Sequence, residues 1–378
     1  MPINERRSLW RRAKPYLAVF DPPLMIIILM LLSTSLLTLY SASIGIPGKI
    51  EDHLRNILLC FFVMWVAANI TPQMMMRIAV PAYTISVTIS VILLVAVALF
   101  GTIKLGARRW LHIGVIDIQP SEFLKIATPL MLAWFFQHNA GALRWKSFLM
   151  AAVLLLVPVY LIARQPDLGT ALLVVAAGFT VIFLAGLSWK VLAGLLITFV
   201  SCLPIAWSHL HDYQRDRVMM LIDPTKDPLG KGFHIIQSII AIGSGGMTGK
   251  GWTHGTQAHL EFVPERTTDF IFAVYSEEFG LVGNLILMLM YLLLVGRGMR
   301  GMMIAANAPS FFTRLLAGAI TMIFFTYAFV NMGMVSGIVP VVGVPLPFLS
   351  YGGTALLTLG VATGILMSIQ RHRKLVQT

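Results

Sequence analysis

Three carboxylates stand where a charged stretch of the chain turns apolar. The stretch is EFVPERTTDFIFAVYSEEFG, residues 261–280, and the carboxylates are Asp269, Glu277 and Glu278. Acids inside membrane-spanning helices are costly and usually pair or line a polar cavity. We therefore expect Glu277 and Glu278 to be functional or to form structural ion pairs. Asp269 follows two threonines at the start of the apolar run, a position that suits a helix N-cap and a catalytic base equally well.

Two acids of this segment acting together on one glycosidic bond are disfavoured. Glu277 lies eight residues after Asp269, which corresponds to roughly 12 Å along a helix that rises ~1.5 Å per residue. Glu278 would point to the opposite face from Asp269. Glycosidases hold their two carboxyl groups about 5–9.5 Å apart on either side of the bond. Hydrolysis by a carboxylate pair on this helix is therefore not expected.

Further ionisable residues occur at other polar ends of apolar segments. In GARRWLHIGVIDIQPSEFLKIA, Arg109 falls in a loop, and Glu122 and Lys125 lie three apart on one helix face. Lys125 could bind an anion from within the bundle or pair with Glu122, and the two interpretations are compatible. The segment ARQPDLGT brings Arg164 and Asp167 to the same side, although a tight polar turn would look similar.

The longest polar stretch runs from residue 209 to residue 268 and is predicted to be one large extracytoplasmic loop. It is too polar to cross a membrane and too long to be a simple connector. Within it, HIIQSIIAIG is predicted as a short amphipathic helix on the membrane surface, followed by the glycine-rich GSGGMTGKGWTHG. Neither a phosphate-binding loop nor a dinucleotide fingerprint fits that glycine pattern, and the histidines lack zinc-ligand spacing. No nucleotide or haem cofactor is expected.

The composition of the chain indicates whether these residues lie in water or in a membrane. Hydrophobic residues make up 57% of the 378 residues and charged residues 12%, and the mean hydropathy is +0.82. These values indicate an all-α polytopic integral membrane protein. We predict about ten transmembrane helices, near residues 24–44, 54–71, 77–100, 120–137, 147–164, 168–186, 189–208, 269–296, 311–337 and 350–370.

The distribution of basic residues predicts the orientation of these helices. Short loops rich in Lys and Arg remain on the cytoplasmic side, which places residues 1–23 and 371–378 in the cytoplasm. The first apolar segment has the length of a full span, so it is predicted to be an uncleaved anchor. The net charge of +12 is explained by this asymmetry and by anionic lipid headgroups, so no nucleic acid partner is expected.

Four motifs together resemble a known family. NMGMVSGIVPVVGVPLPFLSYGGTA, RQPDLGT, QPSEFLK and TDFIFAVYSEEFG are similar to motifs of the shape, elongation, division and sporulation family. The resemblance covers nearly the whole chain, taken as a single membrane domain over residues 1–378. The long loop is more similar to the rod-shape elongation branch than to the division branch. One departure is Thr267, where relatives often have His.

The resemblance implies a peptidoglycan glycosyltransferase that polymerises lipid II during cell-wall elongation. It places the active site on the outer, periplasmic face of the bacterial cytoplasmic (inner) membrane. Asp269 matches the family's general base, which would deprotonate the 4-hydroxyl of the acceptor during inverting attack on the donor. Undecaprenyl pyrophosphate would leave.

The resemblance and the chemistry of the leaving group together suggest roles for the other ionisable residues. Fixed cations stabilise departing phosphates, and a divalent cation (Mg²⁺ or Mn²⁺) could share that task. The expected roles are pyrophosphate or acceptor contacts for Lys125, Arg109 and Arg217, orientation of those cations for Glu122 and Asp167, and bracing of the helices around the cavity for Glu277 and Glu278. The expected partners are the nascent glycan strand, a class B penicillin-binding protein, the rod-shape elongation complex and membrane lipids.

Two other functions remain open at this point. A lipid II transporter (flippase) would use the same buried charges to line a translocation path and would form no polymer. A non-catalytic scaffold of the elongation complex would tolerate neutralisation of all of these charges. An enzyme would be sensitive above all at Asp269.

Overall fold

The structure is a computed structural model that describes most of the chain. The described residues are 19–100, 111–113, 116–140, 144–165, 167–209, 215, 219, 231–259, 262–263, 265–306 and 310–372. Arg109 and Arg217 lie outside these residues, as does most of each predicted cytoplasmic terminus.

The described residues form a helical membrane protein with a helix at each of the ten predicted positions. Two further helices, α8 and α9, lie in the long loop, and a small antiparallel hairpin that was not predicted, β1 with β2, precedes α4. The elements are α1 Pro22–Ala42, α2 Lys49–Asn69, α3 Pro72–Phe100, β1 Leu111–Ile113, β2 Ile116–Ile118, α4 Pro120–His138, α5 Trp145–Arg164, α6 Leu168–Leu184, α7 Trp189–His209, α8 Lys231–Ser244, α9 Thr256–His259, α10 Ile271–Ala306, α11 Phe311–Val335 and α12 Gly353–Arg371.

Six of these helices are long and apolar enough to cross a membrane by length and composition alone, namely α1, α3, α5, α10, α11 and α12. The fold class is thus confirmed as a polytopic, essentially all-α membrane protein. Helices α2 and α4 carry charged side chains near their first turns, and α6 has only 17 residues. Length and hydropathy alone therefore do not identify these three helices as membrane spans.

The centre of the bundle is α11, which is buried along most of its length and packs against α10, α6 and α4. Beside it, α2 and α12 approach each other closely. A Cβ atom at Gly360 would lie 2.9 Å from the carbonyl oxygen of Cys60, and one at Gly364 would lie 2.4 Å from that of Met64. Small residues at a helix interface permit such backbone contact, so these two glycines bring α12 against α2.

Helix α10 is interrupted, whereas the sequence predicted one continuous span from residue 269. Gly280 has φ 62° and ψ −159°, which is not helical, and it separates residues 271–279 from residues 281–306. A break in a membrane helix leaves backbone N–H and C=O groups that need new partners.

Those partners come from the glycine-rich part of the long loop, residues 244–257, which we call the glycine insert. The amides of Lys250 and Gly251 donate to the carbonyls of residues 277 and 278, each at 3.0 Å. On the other side of the break, the amides of residues 281 and 282 donate to the carbonyls of residues 246 and 247, at 2.9 and 3.0 Å. The insert therefore completes the interrupted helix.

The close approach of the insert explains its composition. A Cβ atom at Gly245 would lie 2.1 Å from the Ser276 carbonyl oxygen, and one at Gly249 would lie 2.0 Å from that of Glu278. Gly249 also has φ 80°, which residues with a Cβ rarely adopt. Trp252 fixes the far end of the insert, because its indole N–H donates to the Leu37 carbonyl in α1 at 2.9 Å.

Candidate functional site

Most of the described residues that the sequence predicted to be functional line a cavity of about 740 Å³. Asp269, Lys125, Glu122 and Asp167 all line it. The walls come from α2, α4, the start of α6, the segment before α10, the Pro- and Gly-rich segment before α12, and the start of α12 itself. The remaining lining residues are Arg55, Asn56, Leu59, Gln119, Thr170, Leu173, Glu265, Thr268, Gly343, Val344, Pro345, Tyr351, Gly352, Gly353, Thr354, Ala355 and Leu357.

The backbone on the N-terminal side of Asp269 is fixed by the segment before α12. The hydroxyl of Ser350 donates to the Thr268 carbonyl at 2.7 Å, and the amide of Tyr351 donates to the Thr267 carbonyl at 2.9 Å. Buried hydrogen bonds of this kind hold a loop in one geometry. The Pro- and Gly-rich segment before α12 thus positions the candidate base.

Asn331 of α11 also holds the segment that carries Asp269. Its side-chain amide donates to the carbonyl of Asp269 at 2.9 Å and to that of Val344 at 2.6 Å. A Cβ atom at Gly343, which has φ 70°, would lie 3.2 Å from the Asp269 carboxylate oxygen Oδ2. A glycine at this position therefore lets the backbone approach the carboxylate.

The N-cap alternative for Asp269 is not realised. Helix α10 begins two residues later, at Ile271, so Phe270 and not Asp269 directly precedes it. The side chain lines the cavity instead, where it is partly exposed. That position leaves the carboxylate available for chemistry.

The surroundings of Asp269 make it a stronger base than an ordinary aspartate. Burial, followed by the nearby carboxylates of Glu265 and Asp167, raises its pKa from 3.8 to about 7. Both effects disfavour the charged form of an acid. A general base works best when its pKa lies near the working pH, so this value suits proton abstraction at neutral pH.

Lys125 provides a fixed positive charge in the wall of the cavity. Its Nζ lies 2.6 Å from Glu122 Oε1, as the three-residue spacing predicted, and it also donates to the Tyr327 hydroxyl. The lysine side chain is only 2% exposed. Because a buried ion held in this way loses little freedom when an anion arrives, Lys125 is pre-organised for an anionic ligand.

Asp167 is held by residues at the start of α4 and caps α6. It accepts hydrogen bonds from Gln119 Nε2 at 2.7 Å and Ser121 Oγ at 3.3 Å. Its other carboxylate oxygen accepts from the Thr170 amide at 3.2 Å, which is an N-cap contact. Arg164, which the sequence placed on the same side, donates to the Tyr160 hydroxyl.

Two lining residues that the sequence analysis did not nominate are charged. Glu265 lines the cavity with φ 48°, and Arg55 lines it while pairing with Asp52 at 3.0 Å. Nearby, Lys49 Nζ lies 4.0 Å from the centre of the Tyr351 ring, a cation–π contact. The charge-rich start of α2, KIEDHLR, was the available signal for these cations.

Glu277 and Glu278 lie outside the lining of the cavity and bind the glycine insert and α1. Glu277 Oε1 accepts from Lys250 Nζ at 2.6 Å and from the Thr256 hydroxyl at 3.0 Å, so the structural ion pair weighed for these acids is present. Glu278 Oε1 accepts from the Ser41 hydroxyl in α1 and from the Thr253 amide. The two acids therefore fix the insert against the break in α10.

Carboxylate, imidazole and thiol side chains are the groups that could hold a metal ion. Over the described part of the chain, no group of three or more His, Cys, Asp or Glu side chains is arranged to hold a metal ion.

Comparison with known proteins identifies relatives of this chain over nearly its whole length. The family model described as "Cell cycle protein", which represents FtsW, RodA and SpoVE, matches residues 22–375. Peptidoglycan glycosyltransferase MrdB of Escherichia coli (strain K12) is 52% identical over 357 residues, which cover 94% of this chain and 95% of that protein. Stage V sporulation protein E of Bacillus subtilis (strain 168) is 34% identical over 377 residues, covering 94% and 98% respectively.

Solved structures show the same fold. A chain in a structure described as "Structural coordination of polymerization and crosslinking by a peptidoglycan synthase complex" matches with a TM-score of 0.79 and 32% identity, over 94% of this chain and 98% of that one. The crystal structure of the rod shape determining protein RodA of Thermus thermophilus matches with a TM-score of 0.68 and 26% identity, over 94% and 97%.

Proposed function

This chain belongs to the family of FtsW, RodA and SpoVE, and we propose that its 740 Å³ cavity is the site at which lipid II is polymerised. The chain is a peptidoglycan glycosyltransferase, as its relatives are named. The observation that carries the proposal is the placement of Asp269. A partly exposed carboxylate with a pKa near 7 lines the same cavity as a buried lysine.

In the proposed reaction, Asp269 acts as the general base. The O–H bond of the acceptor 4-hydroxyl breaks and its proton moves to an Asp269 carboxylate oxygen. The electron pair left on the acceptor's 4-oxygen forms the new bond to the donor's anomeric carbon with inversion. The anomeric C–O bond to undecaprenyl pyrophosphate breaks, and the pyrophosphate departs with that electron pair. Hydrogen bonds to the backbone carbonyls of Thr267, Thr268 and Asp269 hold the base in place. Such positioning accounts for much of enzymatic rate acceleration.

Lys125 is our candidate to stabilise the departing pyrophosphate, because it is the buried cation in the wall of the cavity. Glu122 and Asp167 orient this end of the site through their bonds to Lys125, Gln119 and Ser121. Arg109 and Arg217, which lie outside the described residues, are retained as candidate contacts to the pyrophosphate or the acceptor.

The cellular setting is also part of the proposal. We place the cavity on the periplasmic side of the inner membrane, with both termini cytoplasmic. A class B penicillin-binding protein acts as the transpeptidase partner within the rod-shape elongation complex. The similarity to a chain from a complex that coordinates polymerization and crosslinking supports that partner. A divalent cation would arrive with the pyrophosphate, since Mg²⁺ commonly binds through substrate phosphates and one or two carboxylates.

The test compares purified wild type with Asp269→Asn, each with its transpeptidase partner and labelled lipid II, with Mg²⁺, Mn²⁺ or a chelator. Asparagine keeps the size of the side chain and removes its basicity, so polymer formation should fall by about 10²–10⁴-fold. The matched control is Glu51→Gln, an exposed carboxylate in the first turn of α2, which should leave the rate unchanged. Thermal unfolding and partner binding should match wild type in both variants.

Equal polymer from wild type and Asp269→Asn would remove Asp269 as the base. No polymer from either protein, in liposomes across which wild type moves lipid II, would replace the polymerase proposal with the transporter.

A further inference from the structure

We propose that Glu265 and Asp269 act as a carboxylate pair, in which Glu265 shares the proton that Asp269 takes from the acceptor hydroxyl and so makes Asp269 a stronger base. This inference rests on the proposed function of Asp269. It assigns a positioning and electrostatic role to Glu265, which neither the spacing of residues nor the helix pattern had singled out.

The first support is geometric. Glu265 and Asp269 both line the cavity, and a single turn, closed by the Phe270 amide on the Glu265 carbonyl, joins them. Glu265 is exposed, whereas Asp269 is partly buried. The pair thus runs from the solvent-facing rim of the cavity to its interior.

The backbone of Glu265 gives the second support. Its φ of 48° lies in the left-handed region, which is uncommon for residues other than glycine and costs energy. Two turn hydrogen bonds hold this conformation, since the amides of Thr268 and Phe270 both donate to the Glu265 carbonyl, at 3.0 and 3.4 Å. The neighbouring Arg266 anchors the turn by donating to the Ala42 carbonyl at 2.8 Å. A strained residue held by its surroundings at a cavity is a common feature of functional sites.

The chemistry of two adjacent carboxyl groups gives the third support. Two carboxylates that share a site do not both ionise easily, so one of them binds a proton more tightly. In the reaction above, the proton leaves the acceptor oxygen for Asp269, and a hydrogen bond to ionised Glu265 stabilises it there. After the pyrophosphate has left, the proton passes through Glu265 to water, and both carboxyl groups return to their starting state.

Other ionisable groups around the cavity set the background against which the pair titrates. They come from α2, α4, the start of α6 and the segment before α12, and they include both signs. The groups are Arg55, Glu122, Lys125, Asp167 and Tyr351.

The experiment measures the initial rate of lipid II polymerisation against pH for wild type, Glu265→Gln and Glu265→Asp. Since Asp269 must be deprotonated to act, the wild-type rate should fall as pH drops through about 7. Glu265→Gln removes a neighbouring negative charge, so this fall should move to lower pH by about one unit. The maximal rate should drop severalfold, because a weaker base abstracts the proton less readily, while KM changes little.

Glu265→Asp serves as the conservative variant, because it keeps a carboxyl group and aspartate tolerates a left-handed backbone. It should restore most of the wild-type pH profile, which a purely structural role of Glu265 would not predict. A Glu265→Gln enzyme with an unshifted pH profile, beside an inactive Asp269→Asn, would overturn the inference alone. An active Asp269→Asn would instead overturn the proposed function.

Discussion

Replacing Lys250 with Met would leave the buried Glu277 carboxylate without its lysine. Lys250 Nζ lies 2.6 Å from Glu277 Oε1 and 2.8 Å from the Thr256 hydroxyl. The Glu277 side chain is fully buried, and the lysine side chain is 28% exposed. Methionine keeps most of the length and packing of lysine, so the change removes mainly the charge. The glycine insert should therefore detach more readily from the break in α10.

The size of the effect follows from these contacts. Breaking a buried ion pair by removing one partner costs about 3–5 kcal/mol. In this case the Thr256 hydroxyl and the Gln257 amide still donate to the Glu277 carboxylate, and part of the lysine is already hydrated. We expect a loss of about 2 kcal/mol, which corresponds to a roughly 30-fold larger opening equilibrium since 1.36 kcal/mol is tenfold.

Hydrogen exchange in detergent micelles measures this opening directly. The amides of Lys250, Gly251, Leu281 and Val282 all bond across the break, so their exchange should accelerate roughly 30-fold in Lys250→Met, provided that exchange reports local opening. The control is Lys190→Met, an exposed lysine in α7, which should leave these amides at the wild-type rate. Unchanged exchange at all four amides in Lys250→Met would refute the view that the ion pair holds the insert.

Two further substitutions probe the same architecture. Gly249→Ala places a methyl group 2.0 Å from the Glu278 carbonyl oxygen and should lower the midpoint of thermal unfolding. Gly243→Ala, where a Cβ meets nothing within 4 Å, should leave the midpoint unchanged. Equal midpoints for the two variants would contradict the tight docking of the glycine insert. Asn331→Leu removes both donors to the Asp269 and Val344 carbonyls at a cost of about 1–3 kcal/mol for each group left unsatisfied. Polymerisation assays on folded Asn331→Leu should show a reduced kcat, and a wild-type kcat would exclude a positioning role for Asn331.

The sequence was sufficient for the membrane class and for the positions of the helices, because long apolar runs have few other solutions. It also placed Glu122 beside Lys125, since a three-residue spacing on a helix brings side chains together. The importance of Asp269 came from its match to a family motif, which carried information that composition does not contain.

The break at Gly280 was not predictable from periodicity. EFGLVGN resembles ordinary membrane helix, in which isolated glycines are tolerated. The break is explained only by residues 244–257, which supply the missing hydrogen bonds from a distant part of the chain. The contacts of Glu277 and Glu278 depend on the same break, because these acids attach the insert and α1 to α10.

Glu265 was missed for a related reason. Its left-handed backbone and its place in the cavity lining occur in a segment, residues 265–269, that α1, α11 and the segment before α12 hold through tertiary contacts. Residues before a helix, such as the ERTT preceding Asp269, give no periodic signal from which the direction of a side chain can be inferred.

The order in which the cavity is built has a consequence for biosynthesis. Arg55 of α2 is synthesised before Asp269, whereas Asn331, Ser350 and Tyr351, which hold the segment of the candidate base, are synthesised after it. A nascent chain interrupted between residues 270 and 330 would carry Asp269 without any of the three side chains or amides that fix it. Polymerase activity should therefore first arise once the segment before α12 has been synthesised, so that shorter nascent chains remain inert.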